Sequence, residues 1–107
     1  FADKARRAAE SFRARFVRPD GQGLYDVIHL DNTPDPSVRP NQLFAATLDP
    51  DLLTNAEAKA VVDVVERELW TPYGLRTLSP ADGAYRSRYE GDAFSRDTAY
   101  HQGTVWA

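Results

Sequence analysis

Cysteine and methionine are both absent from the 107-residue sequence, and so are long apolar runs. The lack of cysteine excludes a disulfide framework and any zinc site built from thiolates. Because methionine is missing even at position 1, we expect the chain to be a cut or processed piece of a longer protein. Spanning a bilayer takes about 18 consecutive apolar residues, and no segment approaches that length. The first residues also show no signal-peptide pattern. We therefore expect no membrane partner.

Histidine is scarce, and the motifs of several enzyme classes are missing. The two histidines, His29 and His101, lie 72 residues apart and have no His-x-x-x-His partner. We therefore expect no metal site. None of the five serines lies in a Gly-x-Ser-x-Gly elbow, which argues against serine hydrolase chemistry. There is also no glycine motif of the kind that cradles a phosphate group.

The charge and the composition are those of an ordinary globular chain. Hydrophobic residues make up 42% of the sequence and charged residues 27%, with a net charge of −3. Residues 1–18 contain six basic and two acidic side chains, a local charge of +4. Such a stretch can bind phosphates. We favour the solvated face of an amphipathic helix, because few aromatic side chains lie among the arginines to stack on bases. We predict no nucleic-acid partner.

Residues 1–15, 41–48 and 55–70 are predicted to be helical, so the fold class is mainly α. The first segment has one apolar stripe (Phe1, Ala5, Ala8, Ala9, Phe12 and Phe16). The second follows Pro40, a residue that suits a first helical turn. The third begins with a capping box, Thr54 and Glu57. Its apolar face is predicted to contain Ala58, Val61, Val62, Val65 and Leu69.

The remaining segments are predicted to be less regular. Residues 24–28 are β-prone and are predicted to form a small hairpin with residues 16–17. Residues 31–40 contain three prolines and are predicted to be a loop. Residues 71–102 are expected to be mostly irregular, residues 103–107 to begin a helix, and Trp70 to lie in the core.

The segment from Tyr89 to Trp106 concentrates carboxylates, aromatic rings, an arginine and a His-Gln pair. A sugar pocket needs this set, because aromatic faces stack on the C–H surfaces of a pyranose while polar side chains bind its hydroxyl groups. By spacing alone, a hydrogen-bonded structural loop is an equally good interpretation.

Five motifs, in order, resemble the glucosidase domain of bacterial glycogen debranching enzymes, the amylo-α-1,6-glucosidase family. They are Arg39-Pro40-Asn41-Gln42, the helix 60–69, Thr71-Pro72-Tyr73-Gly74 with the residues up to Leu78, the segment 85–92, and Tyr100-His101-Gln102-Gly103-Thr104-Val105-Trp106. The likeness runs from about Leu24 to Trp106.

The resemblance implies an (α/α)6 barrel, of which residues 1–107 are a fragment without an internal boundary. The fragment would supply about three helices, a small hairpin and long cleft loops. The family hydrolyses the α-1,6-linked glucose at glycogen branch points, with inversion and without metal or organic cofactor. The implied partner is an α-glucan, the implied location is cytoplasmic, and the rest of the catalytic domain is missing from this chain. The family's general acid lies N-terminal to these residues, so we expect this chain alone to be inactive.

The resemblance gives seven candidates for substrate binding: Asn41, Gln42, Glu90, Asp92, His101, Gln102 and Trp106. Glu90 and Asp92 are also the candidates for catalysis, because glycoside hydrolysis uses two carboxyl groups. Other roles stay open for these residues. The first two candidates open a helix and can cap it, the two carboxylates can order their loop, His101 can be structural, and Trp106 can belong to the core.

One position departs from the family pattern. Eukaryotic relatives read His-Gln-Gly-Pro-Glu-Trp in the segment similar to His101–Trp106, and that Glu is the proposed base. This chain has Val105 there, and valine cannot accept a proton. The alternative hypothesis is therefore a non-catalytic relative of the same fold with a glucan-binding or structural role.

Overall fold

The computed structural model describes residues 1–88 and the strand 105–106, the latter without the side chain of Trp106. The described residues form three α-helices, one short 3₁₀ helix and two small antiparallel sheets, so the chain is mainly helical, as predicted. In chain order the elements are α1 (Ala2–Phe16), β1 (Val27–Ile28), β2 (Pro34–Asp35), the 3₁₀ helix (Pro40–Gln42), α2 (Leu43–Thr47), α3 (Asn55–Leu69), β3 (Trp70–Thr71), β4 (Gly74–Arg76) and β5 (Val105–Trp106).

The chain divides into two compact units. The first contains Phe1–Pro36 and Asn41–Asp63, and the second contains Ser37–Pro40 and Val64–Ala107. Each unit has its own buried apolar residues. The centre of the first is Leu24, Leu53 and Val61, with Phe12, Val17, Leu43 and others packed against it. The second buries Val38, Val64, Val65, Leu69 and Leu78.

Helix α1 confirms the first predicted helix and leads into the predicted hairpin. Phe12 and Phe16, one turn apart, stack with their ring centroids 4.8 Å apart. After the helix the chain extends, and Val17 forms an antiparallel bridge with Leu24. The Tyr25 N–H donates to the Phe16 carbonyl at 2.9 Å, which extends the pairing by one bond.

The segment 31–40, predicted to be a loop, contains the short strand β2. Val27 pairs with Asp35 and Ile28 with Pro34, in antiparallel register. Proline is compatible with such a strand at a sheet edge, where its missing N–H leaves no ladder bond unmade. The prediction was therefore wrong for Pro34–Asp35, because two residues of pairing are too few to leave an alternating sequence pattern.

The capping box at the start of α3 is present in both directions. The Thr54 N–H donates to Glu57 Oε1 at 2.9 Å, and the Glu57 N–H donates to Thr54 Oγ1 at 3.1 Å. Two of the four free N–H groups of the helix start are thereby satisfied. The predicted helix 55–70 is confirmed, ending at Leu69.

The apolar face of α3 differs from the predicted face at two positions. Val62 is 46% exposed, whereas Val64 is 1% exposed. The buried positions are thus Val61, Val64, Val65 and Leu69, spaced three, four and eight residues from the first. This spacing follows the 3.6-residue period of an α-helix.

A three-stranded sheet follows α3, in the order β3-β4-β5. Trp70 pairs with Leu75, and Leu75 pairs with Trp106. The prediction that residues 103–107 begin a helix was wrong, since Val105–Trp106 is a strand. The core assignment of Trp70 was also wrong, since its side chain is 65% exposed.

Candidate functional site

The first candidate segment, Asn41–Gln42, is attached to residues 24–26 by two side-chain hydrogen bonds. The Leu24 N–H donates to Gln42 Oε1 at 3.1 Å. The Asn41 amide Nδ2 donates to Asp26 Oδ1, also at 3.1 Å. We call these residues the 24–26/41–42 junction. All of them belong to the first unit.

Gln42 is the buried member of the junction. Its side chain is 8% exposed, and Leu24, whose N–H it receives, is 4% exposed. An N–H group at such a depth needs an acceptor, since an unpaired buried donor costs about 1–3 kcal/mol. The Gln42 amide therefore stabilises the extended backbone at Leu24. The 3₁₀ helix Pro40–Gln42 brings the side chain to this position.

Asn41 is the exposed member of the junction. Its Nδ2 is held by the half-buried carboxylate of Asp26, which fixes the orientation of the amide. In the described part of the chain, no hydrogen bond to the Asn41 carbonyl oxygen Oδ1 is found. This oxygen is available to accept a hydrogen bond from a hydroxyl group.

Nothing in the sequence indicates that Asp26 contacts Asn41. Asp26 is the one charged residue within the β-prone run 24–28, but a lone carboxylate there also fits an ordinary solvent-facing position. Fifteen residues separate the two side chains, so only the fold brings them together.

A charged cluster lies next to the junction. The guanidinium of Arg18 donates to both carboxylate oxygens of Asp20, at 3.2 and 2.8 Å, and to the Pro36 carbonyl at 2.9 Å. It also lies 5.4 Å from the centre of the Tyr25 ring, within cation–π distance. The hydrogen bonds from Arg18 and from the Gln22 N–H lower the pKa of the Asp20 carboxyl. This cluster orders the chain between α1 and β1.

In the second unit, the segment Ser37–Pro40 is held by backbone and side-chain bonds. The Arg39 guanidinium donates to the Thr77 carbonyl at 3.1 Å. The Ser79 N–H donates to the Val38 carbonyl, also at 3.1 Å. The Ser37 hydroxyl donates to Asp82 Oδ2 at 3.4 Å. Arg39, the first residue of the Arg-Pro-Asn-Gln motif, therefore has a structural contact of its own.

Within residues 1–88 and 105–106, no group of three or more His, Cys, Asp or Glu side chains could hold a metal ion. Over the same residues, no helix has the length and apolar character to cross a membrane.

Comparison with known proteins identifies the family. A family model described as amylo-alpha-1,6-glucosidase matches residues 1–107. The chain belongs to the amylo-α-1,6-glucosidase family. A relative named glycogen debranching enzyme, from Saccharomyces cerevisiae (strain ATCC 204508 / S288c), is 33% identical over 93 residues. That alignment covers 79% of this chain and 6% of the yeast protein, so the chain matches a small part of its relative.

The family resemblance drawn from the sequence is thereby confirmed, whereas a bacterial origin stays a prediction. Most of the candidate residues that the resemblance gave lie beyond the described part of the chain. Glu90, Asp92, His101 and Gln102 are outside the described residues, and their roles in substrate binding stay predictions. The backbone of Trp106 lies in β5, opposite Leu75.

Val105, the position that departs from the family pattern, lies in β5 opposite Arg76. Its side chain is 44% exposed. A hydrocarbon at this place cannot take a proton from water.

Proposed function

We propose that this chain is part of the catalytic domain of a glycoside hydrolase that removes α-1,6-linked glucose at glycogen branch points. The observation that carries the proposal is the match of the family model along residues 1–107. The yeast relative supports the same substrate class through its name, glycogen debranching enzyme. Since the chain covers 6% of that protein, most of the catalytic machinery would come from other residues of the parent protein.

The proposed architecture is a partial (α/α)6 barrel within one catalytic domain, in a cytoplasmic enzyme. Helices α1, α2 and α3 would be part of the barrel wall. The loops that precede α2 and follow α3 would belong to the cleft at one end. The apolar residues of α3 support this proposal, because they are buried on one side of the helix only and leave a polar face.

The proposed role of Asn41 is to accept a hydrogen bond from a glucose hydroxyl. Asp26 holds the amide nitrogen, so the carbonyl oxygen is the atom offered to a ligand. Gln42 would act less directly, because its carbonyl oxygen already receives the Leu24 N–H. This contact supports an indirect contribution of Gln42 to substrate binding, in which Gln42 holds Asn41 in place.

The proposed chemistry is hydrolysis with inversion. One carboxylic acid protonates the leaving oxygen while one carboxylate activates a water molecule on the opposite face of the sugar. Glu90 and Asp92 are the proposed candidates for carboxyl groups contributed by this chain. His101, Gln102 and Trp106 are proposed to bind the substrate glucose. A general acid from an earlier part of the parent protein would complete the pair.

The test is glucose release by the full-length protein from phosphorylase-limit dextrin. We expect release of glucose, with β-glucose as the first anomer seen by NMR because the mechanism inverts the α-linkage. Glu90→Gln or Asp92→Asn should abolish release if that carboxyl is catalytic. Asn41→Ala should raise KM, while the matched control Asn55→Ala, at the exposed start of α3, should not. Absence of glucose release by the unmodified protein would contradict the proposal.

A second function is favoured by Val105: a non-catalytic member of the family that binds glucan or has a structural role. The residue stands where eukaryotic relatives carry the proposed base and provides no proton acceptor. Binding of isomaltose by the full-length protein, without glucose release from limit dextrin, would support this second function. Glucose release that is lost in Glu90→Gln or Asp92→Asn would exclude it.

A further inference from the structure

A small surface depression of about 170 Å³ lies in the first unit, and neither of the two candidates described there, Asn41 and Gln42, lines it. It is lined by Arg15, Tyr25, Ile28, Asn32 and Pro34. Three of these, the arginine, the asparagine and the proline, are exposed to solvent. Pockets for drug-sized ligands are usually about 300–1,000 Å³, so this depression suits a smaller group such as one sugar ring.

The walls of the depression are fixed by the β1-β2 hairpin. Ile28 and Pro34 are direct partners across the two strands. The turn between them is closed by a bond from the His29 N–H to the Thr33 carbonyl, at 2.9 Å. Asn32 occupies this turn with a φ of +68°, and its N–H donates to the His29 carbonyl at 2.8 Å. The Asn32 side chain thus projects from a defined turn.

On the polar side of the depression, a side-chain hydrogen bond connects α1 to the turn that contains Asn32. Arg15, in the last turn of α1, donates from Nη2 to Asn32 Oδ1 at 3.1 Å. Over the described residues this is the one hydrogen bond found for the Arg15 side chain, and no carboxylate pairs with it. The remaining guanidinium N–H groups and the Asn32 Nδ2 are therefore donors available to a ligand.

The five side chains match the two kinds of surface on a pyranose. Tyr25, Ile28 and Pro34 supply apolar contact for C–H groups, and the tyrosine ring is the largest of them. Arg15 and Asn32 supply donors for hydroxyl oxygens. From this combination we infer that the depression is a carbohydrate subsite that binds one glucosyl unit of an α-glucan. The choice of an α-glucan rests on the proposed function, while the match to a sugar ring rests on the depression itself.

Charge favours a neutral sugar over an anion in the depression. Arg15 is the only basic residue among the five that line it, and Arg18, which lies over the Tyr25 ring, is neutralised by its ion pair with Asp20. The neighbouring sequence of the hairpin carries three carboxylates, Asp26, Asp31 and Asp35. These would repel a phosphate group, but they leave the binding of a neutral hydroxyl group unopposed.

The test uses the full-length protein and measures retention on gels that contain glycogen. Asn32→Gly removes the side-chain amide while glycine readily adopts the positive φ of this position. Arg15→Ala removes the guanidinium and keeps a good helix former. The matched control is Arg7→Ala, an exposed arginine of the same helix that does not line the depression. Thermal unfolding midpoints of all variants verify that each one folds.

We expect Asn32→Gly and Arg15→Ala to weaken retention about three- to tenfold, the range for loss of one or two hydrogen bonds. Arg7→Ala should be retained like the unmodified protein. Maltotriose should reduce the part of the retention that depends on Arg15. Unchanged retention in both test variants, each folded, would overturn the inference. Competition by inorganic phosphate but not by maltotriose would overturn it as well, since the depression would then be an anion site.

Glucose release from limit dextrin, measured on the same variants, separates this inference from the proposed function. If the protein releases no glucose but retention still depends on Asn32 and Arg15, the proposed function fails and the subsite stands. If glucose is released and neither variant changes retention, the proposed function stands and the subsite is refuted.

Discussion

Replacing Gln42 by methionine should destabilise the chain through one backbone N–H group. Methionine is unbranched and close to glutamine in length, so it keeps most of the packing while removing the amide acceptor. The Leu24 N–H would then be left without its acceptor at a site that is 4% exposed. An unpaired buried donor costs about 1–3 kcal/mol of the free energy of unfolding. For a domain of this size such a loss lowers Tm by roughly 5–20 °C.

The assay is urea denaturation of the 107-residue chain followed by circular dichroism, together with hydrogen exchange of the Leu24 amide. We expect the midpoint to fall and exchange at Leu24 to accelerate. Asn41→Ala is the matched control, because it removes a bond of the same length at an exposed position. Its cost should stay below about 0.5 kcal/mol, as is usual for surface substitutions.

Equal stability of Gln42→Met and the unmodified chain, with unchanged exchange at Leu24, would refute the reasoning. The Gln42 side chain would then have no structural role at Leu24, and the sugar-binding role that the resemblance gave it would gain weight. The same pair of variants therefore separates the two roles of the Asn41–Gln42 segment.

Three further perturbations test other parts of the fold. Leu69→Ala, at a fully buried position of the second unit, should cost about 2–5 kcal/mol in denaturant unfolding, whereas Leu48→Ala, 77% exposed, should be nearly neutral. Thr54→Ala removes the hydroxyl half of the capping box and should cost about 0.5–2 kcal/mol in the same assay. The pKa of Asp20 should lie below its ordinary value in a pH titration followed by NMR, because Arg18 and the Gln22 N–H bind the ionised form.

Each of these perturbations has its own control. Glu57→Gln keeps an acceptor at the third position of α3 and should retain most of the capping energy that Thr54→Ala loses. For Asp20 the folded-state pKa is the lower one, so its stabilising contribution is present above the unfolded-state pKa. It is lost as the pH falls through the folded-state value. Asp20→Asn should remove this part of the loss of stability at low pH. If stability falls with pH in the variant as it does in the unmodified chain, the lowered pKa of Asp20 is contradicted.

The helices could be predicted because their signals are local. The capping box of Thr54 and Glu57 and the apolar periodicity of α3 involve residues within one or two turns of each other. Periodicity alone did not distinguish Val62 from Val64, since four valines within five positions cover more than one face. The side that becomes buried is decided by the packing around the helix, not by propensity.

The β4-β5 pair could not be predicted because its pairing is not local. Arg76 and Val105 are 29 positions apart, and the β4-β5 pair exists only when the chain has already folded. Residues 104–106, Thr-Val-Trp, are of types enriched in strands, but three residues are too few to distinguish a short strand from the start of a helix. Trp70 was misplaced for a related reason: its size favours the core, but as the first residue of β3 it faces solvent.

At the candidate site, too, the sequence identifies the residues but not the contacts that they make. The family motif was enough to select Asn41 and Gln42, but it assigned both of them the same role. In the fold, one amide is buried on the Leu24 backbone and the other is exposed and held by Asp26. A binding residue needs an atom left over for its ligand, and within residues 1–88 and 105–106 Asn41 Oδ1 meets that condition. The Gln42 amide oxygen already accepts the Leu24 N–H. Conservative variants at the two positions should therefore have different effects: those of Asn41 should change sugar affinity, and those of Gln42 should change stability.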